Sequence, residues 1–189
     1  MAGPTGRFFV AAPVPEVVKA ALVGLRGQLE ARWPLPVRWV KPDQMHLTLK
    51  FIGDFERARL PQLEAALVAA TAGRKSFALK LAGLGAFPNL RRARMLWVGL
   101  EGDTEPLAAL AGAYDEATAA LGVPRERRPF VPHLTLGRAS GKGLAYGEAV
   151  TAQLAIEPLE FVVSQAQLIE SHLRPGGSVY ELVRTFSLG

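Results

Sequence analysis

The chain of 189 residues contains no cysteine and only three histidines. The absence of cysteine excludes disulfide bonds, thiolate metal ligands and a cysteine nucleophile, and it is typical of a reducing compartment. No run of 18 uncharged apolar residues occurs, so we expect no membrane span. Pro13 and Pro15 interrupt the apolar segment that follows Arg7, which favours a strand over a secretory signal. We therefore expect a cytoplasmic protein.

The chain has a modest excess of positive charge, with a formal net charge of +5. Such an excess favours polyanionic partners such as RNA, although an arginine-rich compositional bias explains it equally well. The hydrophobic share of 49% and the charged share of 21% are ordinary for a globular protein. Composition therefore predicts a folded protein without defining its function.

Two of the three histidines begin the same tetrapeptide, His-Leu-Thr-Leu, at His46–Leu49 and at His133–Leu136. Because a strand turns successive side chains to opposite faces, each histidine would share a face with its threonine while the leucines enter the core. The two side chains would then lie roughly 6.5 to 7 Å apart at Cα, close enough to reach different oxygens of one phosphate. The repetition indicates two similar half-sites that face one substrate.

The residue types in each half-site have complementary chemistry. An imidazole can accept or donate a proton near pH 7, and a threonine hydroxyl can donate a hydrogen bond to an anionic oxygen. Two copies across a cleft would provide an acid and a base on opposite sides of phosphorus, as in-line displacement requires. This chemistry needs no metal. Since the local motif is the same in both copies, it does not determine which histidine is the acid.

Apolar periodicity and turn residues predict a mixture of strands and helices without strict alternation, which indicates an α+β fold with antiparallel sheets. The predicted strands are Phe8–Ala11, Val37–Val40, Met45–Ile52, Phe77–Leu81, Met95–Leu100, His133–Arg138, Phe161–Val163, Ala166–Ser171 and Val179–Arg184. Helices are predicted over Pro15–Arg32, over Thr104–Leu121 with Thr104 as N-cap, and over a short stretch at Gly147–Leu154. A further helix, ended by Gly73, is predicted to carry on one face Leu60, Leu63, Ala66, Leu67 and Ala70. We expect a loop over Val123–Pro132 and no linker between domains.

The sequences that flank the motifs are also distinctive, and they cover nearly the whole chain. They comprise Arg7–Val10, Trp39–Gly53, Leu96–Gly99, Arg128–Arg138, Ser171–Gly177 and Tyr180–Glu181. With these flanks the chain closely resembles the bacterial and archaeal RNA 2′,3′-cyclic phosphodiesterases of the 2H phosphoesterase superfamily, historically called 2′-5′ RNA ligases.

The resemblance implies a fold, an activity and a site. The fold would be one 2H phosphoesterase domain over residues 1–189, in which two intertwined lobes related by a pseudo-twofold axis have antiparallel sheets, outer helices and a central cleft. The activity would be hydrolysis of RNA-terminal 2′,3′-cyclic phosphate to a 2′-phosphate, with weak reversible 2′-5′ ligation. His46 would be the proton donor, His133 the proton acceptor, and Thr48 and Thr135 the groups that hold nonbridging oxygens. We expect a monomer that acts on RNA or nucleotide ends without a metal or cofactor.

Further candidates for substrate binding surround the motifs. Arg138 matches a phosphate-contacting arginine of the family, but on an ideal strand it points away from His133, so a bulge or the strand end must turn it; a solvated role is the alternative. Phe51 and Phe130 could stack on a nucleobase or pack in the core. The arginine runs at 91–94 and 125–128 could contact the RNA backbone or be ordinary solvated loops. His172 lacks a threonine partner, and we expect it at the surface.

Two other functional classes compete with this interpretation. A histidine-based metallohydrolase could add carboxylates from Asp43 and Asp54, although neither motif has metal-ligand spacing. A non-catalytic module could bind RNA ends without turnover. The segment Gly137–Lys142 superficially resembles a phosphate-binding loop, but it is one residue short and has Gly143 where Ser or Thr belongs.

Overall fold

The computed structural model of the protein describes residues 3–32, 36–140, 156–175 and 177–189. The strands are β1 (Thr5–Pro13), β2 (Val37–Trp39), β3 (His46–Glu56), β4 (Phe77–Phe87), β5 (Met95–Gly102), β6 (His133–Ala139), β7 (Glu160–Val163), β8 (Gln165–Arg174) and β9 (Gly177–Ser187). The α-helices are α1 (Glu16–Arg32), α2 (Leu60–Thr71) and α3 (Thr104–Ala119). None of these helices is long and apolar enough to cross a membrane. The helix expected over Gly147–Leu154 lies outside the described residues.

Two antiparallel sheets form the scaffold. Sheet 1 has the strand order β3-β1-β8-β9, and sheet 2 has the order β2-β6-β5-β4-β7. Every neighbouring pair in both sheets is antiparallel. The predicted α+β class with antiparallel sheets is confirmed. Each sheet contains one motif strand, β3 in sheet 1 and β6 in sheet 2.

The motif leucines lie in the core, as strand periodicity predicts. Leu47 and Leu49 of β3 and Leu134 and Leu136 of β6 are at most 4% exposed and belong to one continuous apolar cluster. Each buried leucine contributes roughly 1.5–3 kcal/mol of hydrophobic stabilisation. The leucines therefore fix the opposite face of each strand, with its histidine and threonine, toward the space between the sheets.

The helices connect the two halves. Helix α3 follows β5 of sheet 2, yet it packs against β3 of sheet 1. Helix α1 follows β1 of sheet 1, yet its Arg26 guanidinium lies 5.7 Å from the ring centroid of Trp39 on β2 of sheet 2. A buried hydrogen bond of 2.8 Å between Thr71 Oγ1 and Tyr114 Oη joins α2 to α3. The two halves therefore share their helical layer.

The structure corrects two local expectations. Helix α3 begins at Thr104, but its N-cap is Asp103, whose carboxylate accepts a hydrogen bond from the Ala78 backbone N–H rather than capping the helix. Strand β4 continues from the predicted end at Leu81 to Phe87 because its glycine-containing second half also pairs with β5. Glycine weakens the local strand signal, whereas the tertiary pairing restores the strand.

Candidate active site

The two motif strands place their polar residues in equivalent positions. In sheet 1, His46 lies opposite Pro13 and Thr48 lies opposite Ala11, on the face of β1 that points away from the helices. In sheet 2, His133 lies opposite Gly99 and Thr135 opposite Trp97. Both histidines and both threonines are half-buried, and β3 and β6 contact each other. The structure thus brings the two half-sites to one cleft.

The same hydrogen bond orients the two imidazoles. Nδ1 of His46 lies 2.7 Å from the carbonyl oxygen of Gln44, and Nδ1 of His133 lies 2.7 Å from the carbonyl oxygen of Val131. A carbonyl can only accept, so Nδ1 of each ring is the donor and carries the proton. Nε2 of each ring is therefore left to exchange a proton with a ligand. The Gln44 side chain also donates to the Ser178 carbonyl and ties this segment to β9.

Aromatic rings surround each imidazole. The ring of His46 lies 4.9 Å from that of Phe9 and 5.5 Å from that of Tyr180, between ring centroids. The ring of His133 lies 5.1 Å from that of Phe87 and 5.9 Å from that of Trp97. Each histidine is thus held by two aromatic residues from other strands, and the sequence interpretation did not identify any of the four. Phe9, Trp97 and Tyr180 do lie in the distinctive segments Arg7–Val10, Leu96–Gly99 and Tyr180–Glu181, but aromatic character alone does not distinguish a site wall from core.

Burial and neighbouring charges lower the pKa of both imidazoles. The pKa of His46 is lowered from 6.5 to about 4, chiefly by burial and also by the nearby His133 and Arg138, against the opposing hydrogen bond to the Gln44 carbonyl. Burial and the Arg138 charge likewise lower the pKa of His133. Arg138 therefore lies close enough to both histidines to act on them. An anion in the cleft would stabilise the protonated imidazoles.

A β-bulge turns Arg138 toward the histidines. In the pairing of β5 with β6, Trp97 lies opposite Thr135 and Met95 lies opposite Arg138, so one extra residue of β6 is accommodated between them. The bulge reverses the alternation, and the exposed Arg138 side chain emerges on the face of His133 and Thr135. The sequence analysis predicted that a bulge or the strand end must turn Arg138 if it is to reach the cleft, and the strand contains the bulge.

Phe51 occupies the equivalent position in sheet 1. Register shifts in β3 place Thr48 opposite Ala11 and Phe51 opposite Phe9, so the Phe51 ring also emerges on the cleft face. It is 59% exposed, and its centroid lies 6.4 Å from that of Phe9. Phe51 follows His46 by five positions, and Arg138 follows His133 by five positions. Corresponding positions therefore provide an exposed aromatic ring in one half-site and a guanidinium in the other.

Other candidates lie apart from the cleft or have structural partners. Phe130 is partly buried and packs against the main core, which favours the packing alternative. Arg125 pairs with Asp115 and Glu116 of α3 at 3.9 and 3.7 Å. Arg91, Arg92 and Arg94 are exposed in and beside a 3₁₀ turn between β4 and β5, and Arg127 and Arg128 are exposed in the predicted loop. His172 is partly exposed and pairs with Glu181 at 3.0 Å.

A group of potential metal ligands does occur, but it excludes both motif histidines. Within the described ranges, the side chains of Glu170, His172 and Glu181 are the ones that could converge on an ion. The Glu170 carboxylate is already bound by both terminal nitrogens of Arg57. The structure does not bring Asp43 or Asp54 into this group. The ligand set required by the metallohydrolase alternative is therefore not assembled.

Gly85 provides the space in which the Trp97 ring packs beside His133. The two residues lie opposite each other in β4 and β5, and a Cβ atom at Gly85 would lie 2.1 Å from the indole ring. We expect Gly85→Ala to displace the indole and the imidazole it contacts. The variant should lower kcat of the phosphoester hydrolysis proposed below by at least about 10-fold. Gly83→Ala is the matched control, because a Cβ there meets nothing within 4 Å. Equal kcat values for the two variants would show that the Trp97 packing does not position the site.

The fold and site together define a phosphoesterase of the two-histidine class. The family model described as LigT like Phosphoesterase matches this sequence twice, over residues 12–97 and 98–180, with one motif in each match. This chain belongs to the LigT-like phosphoesterase family. The double match agrees with the repeated half-sites in the two sheets.

Curated relatives and solved structures give the same family. The chain is 33% identical to a Thermus thermophilus protein over 96% of this chain and 90% of that one, and 32% identical to a Methanothermobacter thermautotrophicus protein over 80% and 83%. Both relatives are named RNA 2′,3′-cyclic phosphodiesterase. Escherichia coli LigT complexed with 3′-AMP is similar in structure, with a TM-score of 0.77 and 26% identity over 98% of this chain and 99% of that one.

Proposed function

We propose that this protein hydrolyses the terminal 2′,3′-cyclic phosphate of RNA to a 2′-phosphate, with His46 as proton donor and His133 as proton acceptor. The observation that carries the proposal is the pair of equivalent half-sites, each with an Nδ1-anchored histidine and a threonine on the cleft face. The RNA substrate is supported by the names of the curated relatives and by the 3′-AMP complex of E. coli LigT.

The chemistry needs one proton transfer on each side of phosphorus. His133 Nε2 takes a proton from water as the water oxygen bonds to phosphorus, while the bond from phosphorus to the ribose 3′ oxygen breaks. His46 Nε2 gives its proton to that oxygen, which leaves a 3′ hydroxyl and a 2′-phosphate. Each proton transfer contributes about 10²–10⁴ in rate. If a ribose 5′ hydroxyl replaces water as the nucleophile, the same steps form a 2′-5′ linkage.

The threonines and Arg138 stabilise the charged phosphate. Thr135 Oγ1 lies 3.5 Å from the sulfur of Met95, which is a weak acceptor, so its hydroxyl is free to turn to a phosphate oxygen. Arg138 supplies positive charge from the same face. Thr48 occupies the corresponding position beside His46. These groups bind the anion without a metal. One chain contains the whole set, and we propose that the protein acts as a monomer.

Turnover of 2′,3′-cyclic AMP in excess EDTA tests this function against its rivals. We expect hydrolysis at the same rate with and without the chelator. Loss of activity in EDTA that zinc restores would instead support a metallohydrolase. Binding of the nucleotide without turnover would support an RNA-end binding module. Either of the last two outcomes would overturn the proposed function.

The pH dependence should differ between the free protein and its substrate complex. In the free protein the pKa of His46 is lowered to about 4, so the proton donor loses its proton at acidic pH. The negative charge of the bound cyclic phosphate raises the pKa of the donor. We expect the alkaline limb of kcat/KM, which reports the free protein, to lie at lower pH than the alkaline limb of kcat. Coincident limbs, or rates independent of pH between 5 and 9, would contradict this assignment.

A further inference from the structure

A second arginine lies directly beside Arg138 on the cleft face of sheet 2. Arg38 of β2 lies opposite Arg138 of β6, which in turn lies opposite Met95 of β5. Directly opposed residues of antiparallel strands project from the same face, so the three side chains form a row across the sheet. Val37 and Trp39, on either side of Arg38, pack against the core, and Arg38 itself is exposed. The row therefore continues the active-site face toward the edge strand.

The two guanidinium groups have no carboxylate between them. Within the part of the chain that the structure describes, neither the Arg38 nor the Arg138 guanidinium makes a hydrogen bond or ion pair, whereas those of Arg57 and Arg184 are paired with glutamates. Like charges directly opposite each other on a sheet are destabilising. An anion relieves this repulsion, and a guanidinium fork matches the geometry of phosphate oxygens. The row is therefore suited to bind phosphate.

The position of Arg38 distinguishes it from the groups around the reacting phosphate. Thr135 and Arg138 lie opposite Trp97 and Met95, which are two residues or about 7 Å apart along β5. The charge of Arg138 acts on both motif histidines. Arg38 lies one strand farther out, about 4.8 Å away, and is not among the charges that act on either histidine. Arg38 is thus placed to contact a group adjacent to the reacting phosphate.

We infer that Arg38 binds the phosphodiester on the 5′ side of the terminal nucleoside and makes the protein prefer oligonucleotide ends over cyclic mononucleotides. The inference rests on the proposed function. A cyclic mononucleotide has only the reacting phosphate, whereas a dinucleotide with a cyclic end has one more phosphate for Arg38 to contact. Arg38 is therefore a specificity residue that acts on binding of the chain.

The test compares kcat/KM for 2′,3′-cyclic AMP with that for a diadenosine dinucleotide ending in a 2′,3′-cyclic phosphate. We expect Arg38→Gln to lower the dinucleotide-to-mononucleotide ratio about tenfold, the size of one lost phosphate contact. The negative slope of log(kcat/KM) against log[salt] for the dinucleotide should become shallower by about 0.7. Lys75→Gln is the matched control, since it removes one exposed positive charge from the turn between α2 and β4, where the neighbouring Ser76 bonds to Gly189 beyond the end of β9.

Three results would overturn the inference. An unchanged ratio in Arg38→Gln would mean that Arg38 does not contact the second phosphate. An equal fall for both substrates would place its effect at the reacting phosphate or on folding. An equal loss of ratio in Lys75→Gln would show that the effect comes from net charge alone. Failure of the unaltered protein to hydrolyse either substrate would overturn the proposed function itself, which distinguishes the two claims.

Discussion

His133→Ala and His46→Ala are each expected to lower kcat for cyclic phosphate hydrolysis by about 10²–10⁴-fold, because each variant removes one of the two proton transfers. His172→Ala is the matched control, because it removes the third histidine, which pairs with Glu181 outside both half-sites. Its kcat should remain at the parent level. Steady-state hydrolysis of 2′,3′-cyclic AMP, with thermal melting of each variant, provides the measurement.

The double variant separates joint action from independent contributions. Residues that act on one transition state give non-additive losses, so removal of both His46 and His133 should cost little more than the worse single replacement. The parent rate in both single variants would contradict acid–base catalysis by this pair. A similar loss in His172→Ala would show that histidine replacement acts through folding.

Asp115→Ala is expected to reduce the free energy of unfolding by about 3 kcal/mol, because it leaves a buried ammonium group without its partner charge. Lys50 Nζ lies 2.7 Å from Asp115 Oδ1 and 2.8 Å from the Pro124 carbonyl oxygen, and the Lys50 side chain is only 1% exposed. Burial alone would raise the pKa of Asp115, but its hydrogen bond with Lys50 lowers it. Urea denaturation at pH 7 measures the loss.

A neighbouring carboxylate gives the control for this replacement. Glu116 is the next residue of α3, and its side chain is 77% exposed, so Glu116→Ala should change the free energy of unfolding by less than about 1 kcal/mol. Equal losses in the two variants would contradict the buried ion pair. The combined replacement Lys50→Met with Asp115→Leu should recover much of the stability, since an apolar pair does not leave an unpaired charge.

The Lys50–Asp115 pair also connects the two half-sites. Lys50 is on β3 between Thr48 and Phe51 but faces the helices, where it holds the start of the loop that leads to His133. The Asp115 carboxylate also accepts a hydrogen bond from the Glu126 backbone in that loop. The pair thus anchors the approach to the second motif from the strand that carries the first.

Local rules predicted the half-sites because the information they need is local. Period-two alternation correctly placed Leu47 and Leu134 in the core and each histidine with its threonine on the opposite face. The two motifs, their strands and the loop between α3 and β6 were predicted from residues only a few positions apart. The same is true of α1 and α2, whose apolar periodicity needs no tertiary context.

Sequence reasoning failed where distant strands decide the geometry. Phe87 and Trp97 contact His133 through the pairing of β4 with β5 and of β5 with β6, and no spacing along the chain encodes that contact. The bulge that turns Arg138 depends on how β6 pairs with β5, so its presence could not be predicted from the sequence of β6 alone. Arg38 was not predicted as a binding residue, because only the pairing of β2 with β6 brings it beside Arg138.

The most direct measurement is product identification after incubation with an oligonucleotide that ends in a 2′,3′-cyclic phosphate, in excess EDTA, by phosphorus NMR. If His46 protonates the 3′ oxygen as it leaves, the sole product is the 2′-phosphate, and neither His46→Ala nor His133→Ala forms it at an appreciable rate. A 3′-phosphate product, or an intact cyclic phosphate with the unaltered protein, would contradict the account.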